Sequence, residues 1–374
     1  MLITLLKKEK SFTSLDLKTL LLESNALYKY ENYTFLKHYT FNIKDDDAKV
    51  LFNKKQYDIN LYKEQLLNPP FPIEEIPEHY YQWKMSKRSN PRKKRIINAP
   101  DDILKNYQYL WKSFLENVLQ LQAHNAAHGY VKTRGIATLM KTHQKAKTHW
   151  NLELDFKDFF PSHNKKYLKE MLLKIYPFKF LEEELLNLLI EYATLNDELP
   201  QGTPLSPILS NIAMVPIDYE FTNLLNTFNK KHFIYTRYSD NIYISCKLKF
   251  NPQKVIRELN NILKKHNSPL KIHPNKIKFG SHAGRNFHLG IMLNKDNNLT
   301  IGHKKNQKFR AMLYQFIQDN VVNENYWEKV EIQKMLGLIS YYKSIEKNYI
   351  YSTIEKYNKK FHTDILRVAK ELLK

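Results

Sequence analysis

Two short segments, FIYTRYS (233–239) and NIYISCK (241–247), constrain the fold of this chain more than any other feature. Both are rich in aromatic and β-branched residues, which favour strands, and only Asp240 separates them. The pattern predicts an antiparallel hairpin with Asp240 at its tight turn. A further strand is predicted at 150–155, and segments with helical spacing surround these strands. The chain is therefore predicted to fold as an α+β protein.

Helical spacing of apolar residues predicts five helices before the C-terminal part, at 103–122, 164–175, 181–192, 206–225 and 252–265. Pro216 falls inside the fourth of these helices, where its ring should produce a kink. The last part of the chain, from about residue 291, is mostly helical by pattern. Residues 1–80 are predicted to be a separate N-terminal extension, because three prolines at 68–72 interrupt regular structure.

The charge balance predicts a polyanionic partner. The chain has 59 lysine and arginine residues against 38 aspartate and glutamate residues, a net charge of +21. Residues 81–95 carry seven of these basic residues and no acidic one. This segment could be a solvated loop or a phosphate-facing arm, and the absence of compensating acids favours the arm.

Composition also excludes several classes of protein. A hydrophobic fraction of 43% excludes wholesale disorder. No apolar run reaches the roughly 18 residues of a membrane span, so we expect a soluble, cytoplasmic protein without a membrane partner. The single cysteine excludes a disulfide framework and a zinc site built from cysteines. No glycine pattern of a phosphate-binding loop is present, so phosphates must be held by side chains or metal ions.

Asp155 ends the predicted strand at 150–155, and Asp240 occupies the predicted hairpin turn. A sheet that places these strands side by side brings both carboxylates to one edge. Such a pair can hold two magnesium ions about 3.5–4 Å apart, the arrangement used for in-line phosphoryl transfer. An aspartate at a hairpin turn is more often only a turn residue, so the pair by itself leaves both interpretations open.

Three motifs resolve that choice: LDFKDFFPS (154–162), LPQGTPLSPILSN (199–211) and YTRYSDN (235–241), in this order. Together they resemble the palm motifs of prokaryotic reverse transcriptases, a group that includes retron, group II intron and defence-associated (antiphage) enzymes. The resemblance covers roughly residues 81–345. It implies a right-hand polymerase, with fingers and an antiparallel palm sheet with helices over 81–290 and a helical thumb over 291–374.

The resemblance also implies roles for individual residues. It makes Asp155, Phe156 and Asp240 the ligands of two Mg²⁺ ions, and it adds Asn241 to the catalytic group. Phe160 matches the steric gate that excludes a ribose 2′-hydroxyl, although it could also be a core phenylalanine beside Phe159. The residues that would bind the incoming deoxynucleotide are Lys87, Arg95, Asp158, Phe159, Phe160, Gln201, Gly202 and Lys276.

Among these residues, Lys87 and Arg95 match the finger residues that clamp the triphosphate. Lys276 matches a lysine that could give a proton to pyrophosphate, but it could equally be an ordinary surface lysine. Gly290 matches the turn of the primer-grip hairpin. Residues 303–310 match a thumb helix that contacts backbone phosphates through a set of basic side chains, namely Lys304, Lys305, Lys308 and Arg310.

The chain departs from the family pattern at two places. The usual Tyr-Ala-Asp-Asp turn reads Tyr-Ser-Asp-Asn at 238–241, so Asn241 keeps an oxygen but loses one negative charge. Retron enzymes carry Asn-Ala-x-x-His before the first palm strand and Val-Thr-Gly after the palm. Of these marks only His143 and Gly290 remain here. This difference favours a defence-associated enzyme over a retron enzyme.

The resemblance therefore implies an RNA-directed DNA polymerase that copies a cognate non-coding RNA into DNA in antiphage defence, with a second defence protein or a second copy of the chain as a further partner. One alternative is a non-catalytic RNA-binding scaffold, for which Asn241 would be a sign of decay. The intact Asp155, Phe160, Gln201 and Asp240 argue against it. The other alternative is a polymerase that extends DNA without a template, for example from a protein primer.

Overall fold

The computed structural model describes residues 49–52, 55–87, 90–119, 121–175, 178, 181–228, 232–284 and 287–374. Most of the predicted N-terminal extension lies outside these residues. Its described part contains an antiparallel hairpin of β1 (Lys49–Phe52) and β2 (Lys55–Asp58), followed by helix α1 (Ile59–Leu67) and a 3-10 helix at Ile73–His79. None of the described helices is both long and apolar enough to span a membrane.

The described residues of the basic segment at 81–95 lie in the two strands of a β hairpin. Strands β3 (Tyr80–Lys87) and β4 (Asn90–Pro100) pair antiparallel, with a register irregularity between Ser86 and Lys87. Charge dominates the composition of this segment and hides its strand pattern. Large apolar residues nevertheless recur at every second position of β3, namely Tyr81, Trp83 and Met85, which is the period of a strand.

Seven α-helices lie between the β3–β4 hairpin and the C-terminal part in the described residues; the helix at 136–145 was not predicted, and the other six correspond to the five predicted helices, with changes in their ends. They are α2 (Asp102–Ser113), α3 (Ile136–Lys145), α4 (Lys165–Leu172), α5 (Glu183–Ala193), α6 (Ser206–Ala213), α7 (Val215–Thr227) and α8 (Pro252–Lys265). Helix α2 was predicted to reach residue 122, but it changes into a π-helical turn at Phe114–Val118. The kink predicted from Pro216 is confirmed, because the helix is interrupted at Met214, between the end of α6 and the start of α7.

The sheet contains five strands: β5 (Trp150–Lys157), β6 (Phe233–Tyr238), β7 (Asn241–Cys246), β8 (Lys271–Ile272) and β9 (Lys278–Ser281). The strand order is β6-β7-β5-β8, and β9 also pairs with β5. The predicted hairpin with Asp240 in its turn is confirmed. Ser239, the other turn residue, has a positive φ of 57°, which the tight connection requires.

The chain divides into two compact units that are not continuous in sequence. For the described residues, unit 1 holds those up to Thr133 together with Leu154–Ile242 and Asn251–Ile277. Unit 2 holds Arg134–Glu153, Tyr243–Phe250 and Lys278–Lys374. The mixed content of helix and sheet confirms the predicted α+β class, whereas the domain boundaries predicted after residues 80 and 290 stay a prediction.

The C-terminal part of unit 2 is helical as predicted, but a small hairpin of β10 (Met292–Leu293) and β11 (Leu299–Thr300) comes first. The helices that follow are α9 (His303–Ile317), α10 (Lys329–Ile345), α11 (Lys347–Lys360) and α12 (Ile365–Glu371). Apolar side chains at helical spacing pack into one buried cluster, which includes Phe309, Leu313, Phe316, Ile332, Ile350 and Ile365. This cluster is what makes the helices a single bundle.

Candidate active site

Strand β5 and the β6–β7 turn bring the two predicted catalytic aspartates together. The backbone N–H of Phe156 donates a hydrogen bond to the carbonyl oxygen of Asp240 at 2.9 Å, so Asp155 and Asp240 lie on adjacent segments of the sheet. The carboxylate of Asp155 is buried. Burial and the negative charge of Asp155 raise the pKa of Asp240 above its ordinary value. The site therefore holds two carboxylates whose charges oppose each other.

Lys276 supplies a cation to this pair. It ends a 3-10 turn at Pro274–Lys276, immediately after β8, and its Nζ lies 2.6 Å from Oδ1 of Asp155. The backbone N–H of His273 donates to the carbonyl oxygen of Asp155 at 2.7 Å, which fixes the lysine-bearing turn against β5. The charge of Lys276 also lowers the pKa of Asp240, but this effect is smaller than the increase caused by burial. Lys276 is thus an ion-pair partner of Asp155 and not an isolated surface lysine.

The donor set of this site fits a divalent cation. Asp155 and Asp240 offer oxygen ligands, and their mutual repulsion is relieved by positive charge between them. Phe156 is 1% exposed, so only its backbone could contribute a ligand. Asn241 donates from Nδ2 to Oδ1 of Asp240 at 3.0 Å and holds that carboxylate in place. Within the described ranges, no group of three or more His, Cys, Asp or Glu side chains could hold a metal, so water and substrate phosphates would complete the coordination.

Phe159 and Phe160 are adjacent in the turn after β5, but they differ in burial. Phe159 is 4% exposed and packs in the core, with its ring centroid 5.9 Å from Phe156 and 4.8 Å from His163. Only its backbone can face a nucleotide. Phe160 is half-buried, so part of its side chain is exposed, and its role as a steric gate stays a prediction. Asp158, at the start of the turn, has a positive φ of 46°, which turns the backbone away from the strand direction.

Tyr130 lies beside Phe160, and no motif in the sequence selects it. Its ring centroid is 6.0 Å from that of Phe160 and 6.4 Å from that of Tyr238, and its side chain is 56% exposed. The preceding Gly129 explains the placement, because a Cβ there would come within 2.7 Å of the backbone nitrogen of Ser239. A glycine that allows such a close approach is a weak signal in sequence and becomes interpretable only with the neighbouring turn known.

The motif residues Gln201 and Gly202 meet strand β4. The carbonyl oxygen of Gln201 accepts a hydrogen bond from the backbone N–H of Asn98 at 2.8 Å. Gly202 has a positive φ of 119°, and a Cβ there would lie 2.9 Å from the carbonyl oxygen of Asn98. Arg95, on the same strand, is exposed and lowers the pKa of Asp240 through its charge. Lys87 is the last residue of β3.

A buried ion pair supports the hairpin that carries Asp240. Arg237 on β6 and Asp218 on α7 are both fully buried, with 2.8 Å between the guanidinium and the carboxylate. Tyr235 donates its hydroxyl hydrogen to the same carboxylate at 2.6 Å, and Arg237 also donates to Oδ1 of Asn211 at 2.7 Å. The backbone carbonyl of Arg237 accepts from the N–H of His128 at 2.8 Å. This network fixes β6 only two residues before the turn.

The four basic residues predicted to contact nucleic acid lie on α9 in unit 2, but they are not equivalent. Lys304 and Lys308 are exposed, and Arg310 is half-buried. Lys305 donates from Nζ to the carbonyl oxygen of Gly290 at 2.7 Å, and burial lowers its pKa. Gly290 has a positive φ of 88°, consistent with a turn. Lys305 therefore has a partner within the protein that the sequence did not predict.

Comparison with known proteins gives a consistent result. The family model for reverse transcriptase (RNA-dependent DNA polymerase) matches residues 85–337. Two retron reverse transcriptases of Escherichia coli are similar: Ec73 is 27% identical over 77% of this chain and 89% of its own length, and Ec83 is 25% identical over 83% and 94%. Apo telomerase from Candida tropicalis aligns with a TM-score of 0.45 and 12% identity, over 97% of this chain and 76% of the telomerase chain.

Proposed function

Because this chain belongs to the reverse transcriptase family and is a retron-type RNA-directed DNA polymerase, we propose that it copies a cognate non-coding RNA into DNA by two-metal nucleotidyl transfer. The observation that carries the mechanism is the adjacency of Asp155 and Asp240, with the raised pKa of Asp240. The curated relatives are retron enzymes, so they support the retron type over the defence-associated type that the residues at 139–143 and 288–290 favour.

In this proposal Asp155, Asp240 and the backbone carbonyl of Phe156 would hold two Mg²⁺ ions; the family generally uses divalent metal ions. Bound magnesium would lower the pKa of the primer hydroxyl and offset charge on the phosphates. Lys87, Arg95 and the backbone around Asp158 and Phe159 hold the triphosphate. Gln201 and Gly202 line the sugar, and Lys276 donates a proton from Nζ to the leaving pyrophosphate.

The cognate RNA, the antiphage role and the cytoplasmic location also belong to this proposal, with a second defence protein or a second copy of the chain as a further partner. The names of the curated relatives support an RNA template and a DNA product. The experiment that tests the proposal is sequencing of the nucleic acids that co-purify with the protein. One RNA species together with complementary DNA is expected. RNA without DNA would indicate a scaffold, and DNA without a matching RNA would indicate template-free extension.

Replacing Phe160 with alanine is expected to weaken the choice of sugar. The half-buried ring lies beside Tyr130, so its removal leaves open space where a ribose 2′-hydroxyl would otherwise clash. We expect the ratio of ribonucleotide to deoxynucleotide incorporation efficiency to rise about tenfold or more. The control is Phe228→Ala, which removes another half-buried phenylalanine of unit 1 outside the site. If the ratio of ribonucleotide to deoxynucleotide incorporation were the same in both variants, Phe160 would be a packing residue and not a steric gate.

Asn241 should tune magnesium binding without being a principal ligand. Asn241→Asp replaces the donor to Oδ1 of Asp240 with a third carboxylate in the site, which adds negative charge beside the ions. The magnesium concentration for half-maximal activity should therefore fall. Asn241→Ala removes only a neutral group and should be far milder than Asp240→Ala. The measurement is activity against magnesium concentration for all three variants, and an Asn241→Ala variant as inactive as Asp240→Ala would reverse this ranking.

The lysines of α9 should differ in their effect on RNA binding. Each phosphate contact contributes roughly one unit to the slope of log affinity against log salt. Changing the exposed Lys304 and Lys308 to glutamine should flatten this slope by about two units. Lys305→Gln should change it much less, because its ammonium is committed to the carbonyl oxygen of Gly290. Titration of RNA binding over a series of salt concentrations measures both slopes. If Lys305→Gln flattened the slope as much per lysine as the Lys304 and Lys308 changes do, the assignment of Lys305 to an internal contact would be contradicted.

A further inference from the structure

We propose that Lys157 and Lys271 form a phosphate-binding site on the sheet face that carries Asp155. The inference rests on the proposed function for the source of the phosphate, and it assigns these two lysines a role that the family motifs do not. Lys157 is the last residue of β5, and Lys271 is the first residue of β8. Both lie in unit 1 with the two catalytic aspartates.

The strand register places the two lysines opposite each other. Strands β5 and β8 pair antiparallel, with Phe156 opposite Ile272 and Lys157 opposite Lys271. Directly opposed residues of an antiparallel pair share one face of the sheet, with Cβ atoms roughly 5 Å apart. Residues two positions apart on a strand also share a face, so Lys157 lies on the same face as Asp155, about 7 Å further along β5.

The charge arrangement at this pair is unfavourable without a ligand. Both lysines are exposed, and like charges at directly opposed positions destabilise a sheet. In the part of unit 1 that the structure describes, neither lysine forms an ion pair. Asp155, two residues before Lys157 on the same face, is already engaged by Lys276. Lys157 and Lys271 therefore carry two positive charges that no ion pair among the described residues compensates.

Other lysines of the same unit show the ordinary arrangement. Lys165 pairs with Glu191 at 2.5 Å, and Lys265 pairs with Glu220 at 2.7 Å. Lys157 and Lys271 have no such carboxylate partner in the described part of the chain, and they lie at the strand ends beside the two aspartates. An anion bound between the two ammonium groups would turn their repulsion into a shared attraction.

The chemistry of the site fits a phosphate group. Two ammonium groups offer two charges and up to six N–H donors, which match the charge and the several acceptor oxygens of a phosphate. Two sources of phosphate exist for this enzyme: the polyphosphate of a nucleotide or of released pyrophosphate, and the backbone of the bound nucleic acid. Both present the same chemical group, so the test uses one probe for each source.

The experiment compares the double variant Lys157→Met/Lys271→Met with wild type by direct binding. The probes are inorganic pyrophosphate, followed by calorimetry with magnesium present, and an RNA–DNA primer–template, followed by fluorescence anisotropy without nucleotides. The matched control is Lys166→Met/Lys264→Met, which removes two exposed lysines from helices α4 and α8 of the same unit. The control therefore has the same net charge as the test variant.

We expect the double variant to bind one probe at least about tenfold more weakly than the control. A loss confined to pyrophosphate identifies the polyphosphate as the ligand, and a loss confined to the primer–template identifies the nucleic-acid backbone. Restoring both charges with Lys157→Arg/Lys271→Arg should recover most of the binding. If the double variant bound both probes as well as the control does, the proposed site would be overturned.

Thermal denaturation checks that the loss is not a folding defect. Since methionine removes the repulsion between the two strands, the midpoint of the double variant should be equal to or above that of wild type at low salt. A midpoint several degrees lower would make the lysines structural and would overturn the proposal. The binding assays need no DNA synthesis, so a wild-type protein that binds pyrophosphate but makes no DNA would refute the proposed function and leave this inference standing.

Discussion

Replacing either Asp155 or Asp240 with alanine should reduce DNA synthesis by about 10³-fold or more, because electrostatic stabilisation is usually the largest catalytic contribution. The two carboxylates lie side by side, and burial together with the charge of Asp155 already raises the pKa of Asp240. Removing one carboxylate halves the negative charge that would attract the metal ions. The measurement is single-turnover extension of a primer on an RNA template at saturating magnesium.

Two comparisons make this expectation specific to the site. The isosteric changes Asp155→Asn and Asp240→Asn keep the shape and should lose nearly as much activity, because it is charge that they remove. Asp296→Ala, in the exposed turn between β10 and β11, removes an aspartate outside the site and should retain full activity. Either alanine variant of the pair working at more than a tenth of the wild-type rate would disprove the role of that residue as a ligand.

Breaking the buried ion pair should have the largest effect on stability. Asp218→Ala leaves the guanidinium of Arg237 without its charged partner in a fully buried position, and it also removes the acceptor of the Tyr235 hydroxyl. An uncompensated buried charge costs about 3–5 kcal/mol, a large share of the stability of a typical domain. The free energy of unfolding, measured by urea denaturation, should fall by that amount.

The matched control for this change is Glu183→Ala, which breaks the exposed pair of Glu183 with Lys169. Exposed pairs contribute less than about 1 kcal/mol because water and salt screen them. Arg237 lies two residues before the turn that carries Asp240, so Asp218→Ala should also lower activity at temperatures where the protein is still folded. Equal losses of stability for Asp218→Ala and Glu183→Ala would show that the buried pair is not a stabilising element.

The motif resemblance predicted the importance of Lys276 but not its contact with Asp155. The resemblance selects the residue and assigns it to proton donation, while an ordinary surface lysine remained an equally good interpretation. The distance of 2.6 Å from its Nζ to Oδ1 of Asp155 joins residues 121 positions apart in the chain. No pattern within a short stretch of sequence contains that information, since it depends on β8 pairing with the end of β5.

Patterns within short stretches of sequence were enough to predict the local features of this protein. The α+β class, the hairpin around Asp240, the break at Pro216 and the helical C-terminal part follow from periodicity, proline and turn residues. These signals lie within a few residues of each other. The strands β3 and β4 were missed because their many charged residues masked an alternation of period two.

Contacts between residues far apart in the chain could not be predicted in this way and became known from the fold. It placed Tyr130 beside Phe160, joined Arg237 to Asp218 in the core, and set Lys157 opposite Lys271. The physical reason is that packing between elements far apart in sequence selects these neighbours; for Lys157 and Lys271 it is the strand register, and a slip of one residue would move every side chain of a strand to the opposite face. Register is fixed by the packing of the whole core, so it cannot be read from either strand alone.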